Sequence, residues 1–96
     1  MEKCLIVVGY NNVRIYDIPK IRRACQQLFN AKLLLVTEKI EDADYQAADE
    51  VFACTLAYDA VQESTRLVCL ELERLELKPI GILPFSDRGV LLGANL

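Results

Sequence analysis

Four short apolar runs punctuate the chain: Cys4-Leu5-Ile6-Val7-Val8, Leu33-Leu34-Leu35-Val36, Val51-Phe52-Ala53-Cys54 and Ile80-Gly81-Ile82-Leu83. A strand with one wet face alternates apolar and polar residues, whereas a strand buried on both faces reads as a continuous run. These runs therefore predict parallel strands covered on both sides by helices. Between the first two, Ile18, Ile21, Cys25 and Leu28 recur at helical spacing with Phe29 adjoining, and Lys20, Arg22, Gln26 and Gln27 fall on the outer face. Asp17 ahead of Ile18-Pro19 offers a cap followed by a first-turn proline.

A second, longer helix is expected from Asp59, whose carboxylate would cap it while Gln62 reaches back in a capping box. Its apolar stripe is Val61, Thr65, Val68, Leu72 and Leu75, and Glu63 with Arg66 and Glu71 with Arg74 form solvent-side pairs. The segment from Glu38 to Glu50 holds six acids, Glu38, Glu41, Asp42, Asp44, Asp49 and Glu50, and reads as a connection or a single helical turn. It lacks the regular spacing and central glycine of a calcium loop. The closing stretch, Gly81 to Leu96, reads as a strand, a polar elbow capped by Ser86, and a helix in which Val90, Leu91, Leu92 and Leu96 cover much of the circumference. Such a helix needs neighbours on several sides, so the chain is expected to be the N-terminal fragment of a longer protein.

The predicted order is strand, helix, strand, short connection, strand, helix, strand, helix. With right-handed crossovers this makes an α/β fold: a three-layer, Rossmann-like open sheet of about four parallel strands with helices on both faces, formed by one domain over residues 1–96. Ninety-six residues suffice for one core.

Composition narrows the chemistry. The 53% hydrophobic and 26% charged residues describe a compact protein rather than a disordered one. A formal charge of −3, with 14 acids against 11 bases, argues against nucleic-acid binding. Histidine is absent, which removes the commonest general base and metal ligand. Cys4, Cys25, Cys54 and Cys69 form no C-x-x-C pair or zinc spacing and read as small buried apolar residues in a reduced, cytoplasmic setting. The apolar runs are far shorter than a bilayer requires, so no membrane partner is expected. Tyr10, Tyr16, Tyr45 and Tyr58 read as packing residues near element ends.

In sheets of this type ligands gather at the carboxyl ends of the strands, near the point where strand order reverses. The loops to examine are thus Gly9 to Arg14 and Pro84 to Arg88. Gly9 stands where a dinucleotide-binding turn begins, but Asn11 and Arg14 occupy the places of the later glycines and would crowd a diphosphate. No glycine-lysine pair follows, so a P-loop is excluded as well. A receiver-type phosphoacceptor would need acids after the first strand, and a cysteine-phosphorylated sugar-transport domain would need its nucleophile at that strand's end, where Cys4 does not lie. What remains is a polar loop whose amides can hydrogen-bond a ligand and whose Arg14 can pair a carboxylate or phosphate.

The stretches CLIVVGYNNVRIYDIPKIRRACQQLFNAKLLLVTE and KPIGILPFSDRGVLLGANL resemble the opening and close of the small N-terminal domain that precedes the ATP-binding core in ATP-grasp ligases, the pre-ATP-grasp or biotin carboxylase N-terminal-like domain. The resemblance rests on the order of elements and on the strand, PFSDRG elbow and apolar helix at the end. It implies a substrate-framing role in a carboxylate-amine or related ligase. Gly9, Tyr10, Asn11, Asn12, Arg14, Ser86, Asp87 and Arg88 would then face the acceptor substrate, and none would be catalytic or bind metal. It also implies a C-terminal ATP-grasp core of the same polypeptide as partner. ATP and magnesium would be the parent's cofactors, with none held by these residues, and the isolated domain would be inactive. Tyr10, Asn11 and Asn12 depart from the glycine-rich first loop of several family members. The alternative is a stand-alone Rossmann-like binding or oligomerisation module, with a homodimer formed through Val90, Leu91 and Leu96.

Overall fold

The computed structural model describes residues 1–9, 17–85 and 87–96. Four strands, β1 (Glu2–Val8), β2 (Ala31–Thr37), β3 (Glu50–Ala53) and β4 (Leu77–Pro84), alternate with helices α1 (Ile18–Phe29), α2 (Asp42–Ala47), α3 (Val61–Leu75) and α4 (Asp87–Asn95). The sheet is parallel throughout in the order β3-β2-β1-β4. This is the predicted α/β architecture, an open Rossmann-like sheet with helices on both faces.

Alternate residues of the central strands feed two separate cores. Cys4, Ile6 and Val8 of β1, with Leu34 and Val36 of β2, meet Val68 and Leu72 of α3 and Leu92 of α4. On the other face Val7, Leu33 and Leu35 meet Ile18 of α1 and Ala47 at the end of α2. Continuous apolar runs in β1 and β2 are what a sheet packed on both faces demands. β4 does not follow that expectation. It is an edge strand, and Ile80 and Leu83 are exposed, because among the described residues no helix lies over its face on the α1 side.

Both long helices turn directly into strands through one left-handed residue. Asn30 (φ 51°) ends α1, its N–H bonding to Cys25 O and Gln26 O, and Ala31 opens β2. Glu76 (φ 55°) ends α3 in the same way before Leu77 opens β4. At this position glycine is the usual residue, because a Cβ strains the left-handed backbone.

Several local expectations are corrected. Asp17 occupies the cap position of α1 but makes no side-chain cap bond, since its own backbone is already helical. The second long helix starts later than expected: Tyr58–Ala60 is a 3-10 turn, Ala60 is the cap residue, and neither Asp59 nor Gln62 supplies a cap bond. A capping box does form at α2, where the Glu41 side chain and the Asp44 side chain satisfy each other's backbone N–H groups. Leu28 is 73% exposed because it points off the flank of α1, away from the sheet. Cys69 is exposed too, unlike the buried Cys4, Cys25 and Cys54, because the buried stripe of α3 runs through Ser64, Val68 and Leu72. Arg22 turns inward rather than outward: its guanidinium meets the Asp49 carboxylate at 2.8 and 2.9 Å and bonds Gln46 O.

Candidate functional site at the carboxyl ends of the strands

β1 leads to β2 on one side, while β3 crosses over the sheet to place β4 on the other side of β1. Strand order therefore reverses between β1 and β4, which is where open α/β sheets leave a crevice at the carboxyl ends. Val8 and Pro84, the last residues of these strands, stand in register. Beyond them Phe85 N–H donates to Val8 O at 2.9 Å, and Gly9 N–H donates to Val36 O at 2.7 Å. The two chain segments singled out by sequence thus leave the sheet side by side.

Gly9 is the pivot. Its φ of 70° is a left-handed value that glycine adopts without steric penalty, and it turns the chain out of the sheet at a buried position. Tyr10, Asn11, Asn12, Arg14 and Ser86 lie outside the described residues. Asp87 opens α4 and Arg88 follows it within the helix; their side chains also lie outside the described part. Phe85, which sequence reasoning passed over, packs against the α1-side core and so anchors the start of the elbow. Its signal was the lone aromatic ring between a strand-ending proline and the polar elbow.

The neighbouring ends of β2 and β3 complete this rim. Cys54 N–H continues the ladder to Thr37 O at 3.0 Å, Ser64 O–H donates to Thr55 O at 2.7 Å, and Leu56 N–H reaches Glu38 Oε2 at 3.5 Å. Glu38, the first of the six acids that follow β2, therefore braces the β3–α3 connection with its carboxylate. Burial pushes the Cys54 thiol above its ordinary range; the neighbouring Ser64 side chain works against this, and the Glu38 charge adds to it. A protonated, buried thiol is a poor nucleophile at neutral pH, so Cys54 packs rather than reacts. Burial likewise raises the Cys25 thiol, with the Asp49 charge adding to it.

Among the described residues no group of three or more Cys, Asp or Glu gathers where it could hold a metal ion, and no helix is long and apolar enough to cross a membrane. The described rim supplies backbone geometry and hydrogen-bonding groups. These groups bond one another and fix the points at which the two candidate segments begin. The chain matches no protein-family model, no curated protein and no solved structure.

Proposed function

We propose that this chain is the substrate-framing, pre-ATP-grasp domain of an ATP-dependent ligase that joins a carboxylic acid to an amine or similar nucleophile. The observation that carries the reading is the adjacency of the β1 and β4 carboxyl ends, where Val8 pairs with Pro84 and Phe85 N–H bonds Val8 O. It sets side by side the residues, Gly9 and Phe85, from which the chain enters the Gly9–Arg14 and Ser86–Arg88 segments, and the second of these belongs to the strand, elbow and helix ending on which the family resemblance chiefly rests.

In the proposed reaction the acid's carboxylate attacks the terminal phosphorus of ATP, giving an acyl phosphate and ADP. The amine then attacks the acyl carbon, and inorganic phosphate leaves with the amine's proton passing to a base. A C-terminal ATP-grasp core of the same polypeptide supplies nucleotide, magnesium and the charge stabilisation of phosphoryl transfer. In this role the domain supplies position: Arg14 would pair the acid's carboxylate, the side-chain amides of Asn11 and Asn12 and the hydroxyl of Ser86 would bond its polar groups, and Gly9, Tyr10, Asp87 and Arg88 would complete the substrate-binding set that the resemblance implies. Holding two reactants in an attacking geometry is worth several kcal/mol of barrier, so modest contacts here matter.

The test is steady-state kinetics of the natural polypeptide carrying Arg14→Ala. The acid's KM rises about tenfold or more while the KM for ATP stays within about twofold, and Arg14→Lys recovers part of the loss. Equal effects on both substrates, or none on the acid, would contradict the assignment.

A further inference from the structure

The sheet ends in two edge strands, β3 on one side and β4 on the other. An edge strand is a row of unpaired N–H and C=O groups onto which another strand can add. β4 offers more to such a strand than β3 does: it runs for eight residues where β3 has four, and Ile80 and Leu83 stand exposed along it.

In a parallel ladder successive residues of a strand point their backbone groups alternately at one neighbour and at the other. Two hydrogen bonds fix that alternation here. Gly9 N–H donates to Val36 O of β2, and Val8 O, one residue earlier, accepts from Phe85 N–H beyond β4. Cys4, Ile6 and Val8 therefore face β4, and their register partners Pro79, Ile82 and Pro84 turn their own backbone groups to the free edge. Two of those three are prolines, which have no N–H to donate. The register shift between Cys4 and Leu5 lies beside Pro79 and interrupts the edge further. The β3 edge differs: Cys54 N–H donates to Thr37 O, so the residues turned outward are Val51 and Ala53, and both keep their N–H.

We propose that Pro79 and Pro84 close the outer edge of β4 against strand addition by a second copy of this chain. In an antiparallel pair centred on Leu83, Ile82 of each copy stands opposite position 84 of the other, and the exposed Leu83 side chains meet across the axis. Each Ile82 N–H finds a Pro84 carbonyl, but no N–H returns to the Ile82 carbonyl. Half of the bonds of the pair are missing, and each copy would bury an acceptor that nothing answers. The prolines thus oppose an association that the apolar residues of the edge favour. This device concerns the edge of the sheet and does not depend on the ligase reading.

The test compares the whole chain with its Pro79→Thr/Pro84→Thr variant by sedimentation velocity and amide hydrogen exchange. In the parent, the Ile82 amide exchanges at the same rate from about 50 µM to about 1 mM. The variant dimerises with a Kd on the order of 100 µM, and its Ile82 amide slows about fivefold at the upper concentration. Pro84→Thr alone, which restores both missing bonds, associates in the same way. Adding Leu83→Lys at its exposed position returns either variant to the monomer, because the two lysines meet across the axis. The proposal is overturned by Ile82 protection that rises with concentration in the parent, by folded proline variants that stay monomeric, or by association that Leu83→Lys leaves intact.

Discussion

Glu76 pays a conformational penalty that Asn30, in the same place at the end of the other long helix, largely escapes. Both are left-handed, at φ 55° and 51°, but the short amide of asparagine tolerates this region better than a long glutamate chain. Glu76→Gly is therefore expected to raise stability by about 0.5–1 kcal/mol, because the relief of strain exceeds the added freedom of the unfolded chain. Urea denaturation reads this as a higher midpoint at unchanged slope. The cysteines divide by burial: Cys69 should react with a thiol reagent in the native protein, and Cys4, Cys25 and Cys54 only after unfolding. Burial also pushes the Cys4 thiol up to about 11 from 9.0. Between those values the unfolded chain has lost the proton that the fold retains, so stability is whole below pH 9.0 and falls as pH rises towards about 11. Urea midpoints across that window should decline less steeply in Cys4→Ala than in the parent.

At the scale of elements, Asp49 shows how one acid can close a sheet. Its N–H donates to Leu33 O at 3.1 Å, and its Oδ2 accepts from Leu33 N–H at 2.8 Å while Oδ1 holds Arg22 of α1. One side chain thus ties β2, the start of β3 and a helix together. Asp49→Ala should cost about 2–3 kcal/mol because it orphans the Leu33 N–H and frees Arg22. Arg22→Ala, which leaves the Leu33 bond in place at a half-exposed site, should cost less than about 1 kcal/mol. Equal losses for the two variants in thermal or urea unfolding would refute this account of Asp49. Nothing in the run of acids from Glu38 to Glu50 marks Asp49 as different, since its role depends on a strand that lies far off in sequence. By contrast, the four strands and α1 were legible, because apolar runs and helical spacing report burial directly. The exposed side of β4 was not, since the sequence of an edge strand that lacks a covering helix on one face still reads Ile80-Gly81-Ile82-Leu83. The start of α3 was misplaced because Asp59 has the chemistry of a cap, whereas the backbone first makes a 3-10 turn at Tyr58–Ala60.

For the molecule as a whole, the strand order decides where function can lie. A parallel sheet in the order β3-β2-β1-β4 has its reversal between β1 and β4, and there the polar loop after Gly9 and the elbow after Pro84 begin together. The two candidate segments were named from the sequence; the adjacency of Gly9 and Phe85, where they begin, came from the register of β1 and β4, which no local pattern encodes. The described rim fixes the starts of both segments through the bonds of Gly9 N–H to Val36 O and Phe85 N–H to Val8 O. The most direct test is ADP release by the natural polypeptide, purified from its own cells, across a panel of carboxylic acids and amines. The account predicts ADP formation that requires both an acid and an amine, and none from the 96-residue chain alone. A natural polypeptide that releases no ADP with any pair, or whose mass is that of these residues only, would contradict it.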